Sequence, residues 1–517
     1  MKCEVRSRLG LLFLVLSLLS SGLCAQTPAQ RLAGWHLQYA DSLQGANVRA
    51  ALDYLAAKGR KAKRPVVVGI IDSGADTATA NIKRAFWTNP KERPDGRDND
   101  RNGYVDDIHG WNFLGTKDGS FNMVSAGTEE FRQFKRLYPK YKNVKREDAA
   151  DQAEYDYYMQ MRRKAGINGY LKSYKFNAQK MAAIVMMDSI MRHERIDTDT
   201  LTFAGLFHVE VKDTLFSQLS QMLMTDLFRT KKSAKWTDYR KSQQDNLQLM
   251  KSRIDGIEHD QDKRLLMGDN LEDADDIHYG NPTLTVDGCD HGTFVAGVVG
   301  GNGGADKRYA GVADGVARLM ILRASPEGDE YDKDVATAIR YAVDNGAKVI
   351  NISLGKYQSP TPGMVNNAIA YAAKHDVLVV NAAGNNGLDI DTVAYYPTGR
   401  DAQGRTYDNF IRVGACREDG LTAKFSNYGA ANVDLLAPGE DIASAFPGDK
   451  FELSQGTSVA APVVSGVAAL LRAYFPRLKA AEIKRLLMRT VRRNGETGKC
   501  VSGGCLDMLN AVKEIVK

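Results

Sequence analysis

Residues 65–74 read Pro-Val-Val-Val-Gly-Ile-Ile-Asp-Ser-Gly, a nearly continuous apolar run that stops at an acid. A run without polar alternation fits a strand buried on both faces, as in a parallel sheet covered by helices on each side. Asp72 then stands at the carboxyl edge of that sheet, where open α/β sheets place their sites. Taken alone, an Asp there is as often a cap for the following turn. Working outward, Val48, Leu52 and Leu55 have helical spacing before Gly59, and Arg60–Arg64 is basic. From residue 286 apolar runs alternate with helical patterns: strands at 318–322, 348–352 and 377–380, helices near 331–345 and 363–374. This rhythm predicts an α/β fold with a doubly wound, mostly parallel sheet.

A different composition lies between. Residues 115–280 hold 9 of the 47 glycines but 11 of the 16 methionines. Met181, Ile184, Met187 and Met191 recur at helical spacing, as do Leu247, Met250, Ile254 and Ile257. The segment 115–285 is therefore expected to be a mainly helical insertion, its Met-rich stripes packing its own core rather than a partner.

The 517 residues have room for three domains or for one large domain with an insertion. With 69 basic and 63 acidic residues the net charge is +6, too mild to imply a nucleic-acid partner. Residues 1–25 combine Lys2, Arg6 and Arg8 with an apolar run from Leu9 to Leu19 and a small residue, Ala25, before Gln26. They read as an export signal, too short to span a bilayer. Lipid attachment at Cys24 is the lesser reading, because Leu23 stands where a small residue is wanted. No later stretch approaches a transmembrane segment, so the expectation is a protein exported to the periplasm, cell surface or medium. Of the cysteines after residue 25, Cys500 and Cys505 flank a turn-prone Val-Ser-Gly-Gly and are the expected disulfide, two free thiols being the alternative. No Cys-x-x-Cys or His-Glu-x-x-His spacing suggests zinc.

Two more stretches carry chemistry. Asp290-His291-Gly-Thr-Phe-Val-Ala-Gly opens a small-residue helix, and Gly456-Thr-Ser458-Val-Ala-Ala-Pro462 opens a long apolar one. Pro462 is tolerated only in the first turns, so Ser458 lies near a helix N-terminus, where N–H groups favour negative charge. Singly, the His reads as a buried, bonded histidine and the Ser as an N-cap. Together, Asp-Ser-Gly, His-Gly-Thr-x-Val-Ala-Gly and Gly-Thr-Ser-x-Ala-x-Pro, in that chain order, resemble the subtilisin-like serine proteases, or subtilases.

The resemblance implies a serine endopeptidase acting on protein or peptide substrates through an acyl-enzyme on Ser458. His291 is the implied general base and acid, and Asp72 its orienting partner. Asn381-Ala-Ala-Gly-Asn385 is similar to the family's oxyanion segment, which gives Asn385 the developing negative oxygen. Ser353, Leu354 and Gly355 resemble the substrate-binding strand, with Ala383 and Gly384 on the opposite wall. No cofactor is implied for catalysis. By this reading 65–114 and 286–517 form the catalytic domain, and 26–64 is a lead-in too short for a folding-assistant propeptide.

Asp98, Asp100, Asn102 and Asp106 follow calcium-loop spacing, but His109 replaces the glutamate of an EF-hand, so a looser structural calcium loop is expected. Glu327, Asp329, Glu330, Asp332 and Asp334 read as acids at a helix N-terminus in preference to a site for basic substrates. Cys289 reads as a buried inert thiol. The rival functions are a binding protein on an inactive protease scaffold and a transpeptidase or cyclase using the same triad.

Overall fold

The computed structural model describes residues 33–40, 43–260 and 262–517; the export segment and Cys24 lie outside them. They divide into two compact units, one of residues up to 126 and from 264 onward, the other Gly127–Lys263.

In the first unit the run at 65–74 forms β1 (Val66–Asp72). Its side chains alternate: Val66, Val68 and Ile70 enter one apolar layer, Val67 and Ile71 the other. Burying Ile70 completely contributes roughly 1.5–3 kcal/mol. The remaining strands of its sheet are β2 (Gly110–Asn112), β3 (Ala317–Arg323), β4 (Val349–Ile352), β5 (Leu378–Ala382), β6 (Phe410–Cys416), β7 (Leu435–Pro438), β8 (Arg492–Arg493) and β9 (Gly504–Cys505). Among the described residues the order is β8-β9-β7-β6-β5-β4-β1-β3-β2, parallel throughout except β8 with β9. The expected doubly wound α/β sheet is observed, and the four strands for which the sequence gives limits, β1, β3, β4 and β5, lie within two residues of them.

Helices fill both faces. In the layer of Val68 and Ile70 lie α1 (Val48–Ala57), α2 (Asp290–Gly300) and α5 (Thr457–Tyr474); in the layer of Ile71 lie α3 (Asp332–Asp344) and α4 (Pro362–Lys374). Among the described residues α5 is long and apolar enough to cross a membrane, but 89% of it is buried as the helix beneath β4–β7. The chain enters at β1, lays β3 on one side, then crosses to β4 on the other. The sheet order thus reverses at β1, which opens a crevice at the carboxyl ends of β1, β3 and β4. The lead-in belongs to this unit: Trp35, Ala46, Val48, Ala51 and Leu55 are buried in the same layer as β1.

Cys500 and Cys505 are not bonded to each other, and all four described cysteines are free and buried. Parallel pairing of β9 with β7, Leu436 opposite Cys505, sends the Cys505 thiol to the Gly420 carbonyl at 3.1 Å.

The second unit, which falls inside the 115–285 segment, is helical: Glu129–Tyr141, Gln152–Lys164, Ile167–His193, Thr214–Arg229 and Trp236–His259. Thr128, Asp151 and Asp213 cap three of these helices by accepting from backbone N–H groups. Ile184, Met187 and Met191 are buried against Phe203, Phe216 and Trp236, so this methionine stripe faces the unit's own core.

Candidate active site

Asp72 ends β1 and is 2% exposed. Its Oδ1 accepts from the Ser73 N–H at 2.7 Å and from His291 Nδ1 at 2.7 Å. His291 is the second residue of α2, and its Nε2 lies 3.1 Å from Ser458 Oγ, the second residue of α5. The helix can come this close because of Gly292: a Cβ there would sit 1.9 Å from the Gly74 carbonyl oxygen and 3.3 Å from Asp72 Cβ. Burial acts to lower the His291 pKa, but the carboxylate of Asp72 and its hydrogen bond outweigh this and hold it above the ordinary imidazole value. The side chain remains 43% exposed, one edge open to a cleft of about 540 Å³.

Ser458 is fixed from below by a device that begins with Pro462. Proline has no N–H to give the carbonyl four residues back, which leaves the Ser458 oxygen unpaired within α5. Ser353 Oγ donates to it at 2.7 Å, Asn351 Nδ2 donates to Ser353 Oγ at 2.8 Å, and Ser465 Oγ donates to Asn351 Oδ1 at 2.9 Å. Asn351 and Ser465 are fully buried. Asn385 is oriented as firmly: its Oδ1 accepts from the Thr457 N–H at 2.8 Å and from Thr457 Oγ at 2.9 Å. A backbone N–H can only donate, so Asn385 Nδ2 must point the other way. It faces the same space as the Ser458 hydroxyl, since a Cβ on Gly456 would meet Ser458 Oγ at 2.9 Å and Asn385 Nδ2 at 3.4 Å. The Ser458 N–H belongs to the first turn of α5, whose donors have no intrahelical partner.

The cleft is lined by Ser353, Leu354 and Gly355 on one side and Ala382, Gly384 and Asn385 on the other. Ala383, expected among the substrate-binding residues, is turned inward, where it packs with Ile390 and Leu436. Glu327 and Glu330 also line the cleft, whereas Asp332 pairs with Lys356 at 3.0 Å and Asp334 with Arg264 at 2.6 Å inside the fold. Cys289 is buried, which pushes its thiol pKa up.

The acidic loop differs from its sequence reading. Oxygens of Asp98, Asp100 and Glu92 lie within 4.8 Å of one another. Asp106 is not brought to them: with φ of +57° it turns back, and its carboxylate accepts from the N–H groups of Asp95 and Gly96. Asn102 spends its Oδ1 on the Tyr104 N–H and its Nδ2 on Asp107. Glu92, absent from the expected set, is buried; Oε1 accepts from the N–H groups of Asn99 and Asp100, while Oε2 has no partner among the described residues. Such an orphan oxygen beside two carboxylates fits a hard cation, whose ligand oxygens lie about 2.3–2.6 Å from the ion.

Sequence reasoning also missed Asn351, Thr457 and Ser465. The signals were an Asn two positions before Ser353, on the same strand face, and polar residues within otherwise apolar runs.

The model of the Subtilase family matches residues 63–503. The thermophilic serine proteinase of Bacillus sp. (strain AK1) is 33% identical over 277 residues, which are 54% of this chain and 64% of that protein. M-protease of Shouchella clausii (strain KSM-K16) is 34% identical over 225 residues, 43% of this chain and 55% of that protein. The chain therefore covers less than two thirds of either relative. Among solved structures, a cold adapted subtilisin-like serine proteinase shares 28% identity with a TM-score of 0.37, over 43% of this chain and 75% of that one.

Proposed function

The chain belongs to the subtilase family, and on that premise we propose that it is a serine endopeptidase whose nucleophile is Ser458. The observation that carries the reading is the continuous path from Asp72 through both nitrogens of His291 to Ser458 Oγ. His291 Nε2 takes the hydroxyl proton as Oγ attacks a peptide carbonyl, and Asp72 holds the imidazole in the needed tautomer and stabilises its charged form. Asn385 Nδ2 and the Ser458 N–H donate to the oxygen that becomes negative. His291 then gives its proton to the leaving amine, whose departure leaves the acyl-enzyme for hydrolysis by water. Export to the envelope or medium is part of the proposal and rests on residues 1–25.

A fluorophosphonate probe tests the reading. Labelling of the wild type and its loss in Ser458→Ala is the expected result; equal labelling of both proteins would sink it. Product masses from a peptide digest separate hydrolysis from transpeptidation, which adds an amine acceptor where hydrolysis adds water.

We further propose a structural calcium held by Glu92, Asp98 and Asp100, with no part in the chemistry; the unpaired Glu92 Oε2 supports it. Calcium should raise the melting temperature over that in chelator, by about 2.7 kcal/mol of stability at 100 times its Kd. Glu92→Gln should abolish most of the difference. A melting curve indifferent to calcium removes the metal.

A further inference from the structure

The two walls beside Ser458 hold a ring between them. A Cβ on Gly355 would lie 2.5 Å from Oη and 2.6 Å from Cζ of Tyr395; a Cβ on Gly384 would lie 2.9 Å from Cε2 and 3.0 Å from Cζ of the same residue. The phenol end of Tyr395 thus touches both backbone walls, and it is glycine on each side that leaves room for it. Tyr395 lines the cleft together with Ser458 and is 7% exposed.

The ring is also braced from behind. Tyr357 meets it edge-on, with centroids 5.2 Å apart and planes at 65°. The guanidinium of Arg412, itself buried, sits 5.2 Å from the ring centroid. Arg412 is anchored in turn: its side chain donates to the Pro397 carbonyl and its N–H to Asp434. Swinging Tyr395 aside would disturb a buried cation and an aromatic pair, so the ring is a fixed floor rather than a movable lid.

A substrate residue whose carbonyl is attacked by Ser458 Oγ, with its oxygen at Asn385, must send its side chain into the space adjoining both groups. That space lies between Leu354–Gly355 and Ala382–Gly384, and Tyr395 closes it at depth. We infer that Tyr395 is the specificity-determining residue of the cleft, limiting the residue on the amino side of the cleaved bond to glycine, alanine or serine. The inference rests on the endopeptidase reading above.

The experiment is kcat/KM on peptides that differ only at that residue (Gly, Ala, Leu, Phe), each enzyme normalised to its fluorophosphonate-reactive fraction. The wild type should prefer Ala over Phe by on the order of 100-fold, since the size of an apolar side chain alone discriminates about 10–200-fold per methylene. Tyr395→Gly should raise the Phe substrate at least tenfold relative to Ala, while Tyr395→Phe, which keeps the ring, should retain the small-residue order. A fully labelled wild type that cleaves after Phe or Leu as well as after Ala overturns the inference and leaves the endopeptidase reading standing. A labelled Tyr395→Gly with the wild-type profile overturns it too. Should the glycine variant fail to label because it does not fold, the wild-type ratio and Tyr395→Phe decide. A wild type that neither labels nor cleaves any of the four peptides defeats the endopeptidase reading and this inference with it.

Discussion

Asp72 in the first unit and Asp188 in the second are buried carboxylates that each face an aromatic N–H: His291 Nδ1 at 2.7 Å and Trp236 Nε1 at 2.9 Å. They differ in what lies beyond the ring. Imidazole has a second nitrogen, which carries the path to Ser458 Oγ at the open cleft. Indole has none, and the other Asp188 bonds go to Arg192 and Arg240 of the same unit. A buried acid of the first kind is linked through the ring to a hydroxyl at the open cleft; one of the second kind closes on itself and holds helices together. Burial and a hydrogen bond are common to both carboxylates, and what sets Asp72 apart is the path that ends at a hydroxyl in the open cleft.

The sharpest way to break this contrast is to neutralise each acid in turn. Asp72→Asn should lower kcat by about 10⁴-fold through loss of the tautomer and of charge stabilisation, while Asp188→Asn should leave fluorophosphonate labelling within about twofold. Equal losses in the two variants would erase the distinction. Next in size, Asn385→Ala removes one donor to the developing charge and should cost about 10²–10³-fold in kcat; a fall of less than tenfold would show that Asn385 is not that donor.

Asp188→Ala belongs to stability rather than rate. It strands the buried Trp236 N–H and should cost about 1–3 kcal/mol in denaturant unfolding. Burial works against ionising Asp188, but Trp236, Arg192 and Arg240 prevail and hold its pKa below the ordinary carboxylate value. A folded pKa lowered in this way contributes stability above the unfolded value, lost as pH falls through the folded one. Wild type and Asp188→Ala should therefore converge in stability on acidification, and a constant gap would argue against the pairing.

The smallest effect expected is a shift in a pH profile. His291 accepts a proton only when neutral, and its pKa lies above the ordinary imidazole value because of Asp72. Activity should then rise with pH through that elevated value, and in Asp72→Asn the same limb should move to lower pH. An unmoved limb would assign it to another group.

Much of this is legible in the sequence alone. The βαβ rhythm places β1, β3, β4, β5, α3 and α4 to within two residues, because apolar runs and helical spacing are local properties of the chain. Asp72, His291 and Ser458 stand in short motifs, and each sits at an element terminus that its own residues dictate. The acidic loop was legible only in part. Spacing pointed to Asp98 and Asp100, but Glu92 reaches them from outside the motif, and a left-handed turn at Asp106 carries its carboxylate away.

By itself, then, the sequence determined the architecture and pointed to Asp72, His291 and Ser458, since periodicity and motif are written within a few consecutive residues. Tertiary structure alone decided how those groups are aimed and what fits beside them. Asn351 and Ser465, 114 positions apart, meet under Ser458, and Tyr395 fills the gap between Gly355 and Gly384. Such contacts join residues from different strands and helices, so they exist only after the sheet order has brought the carboxyl ends of β4 and β5 against the start of α5.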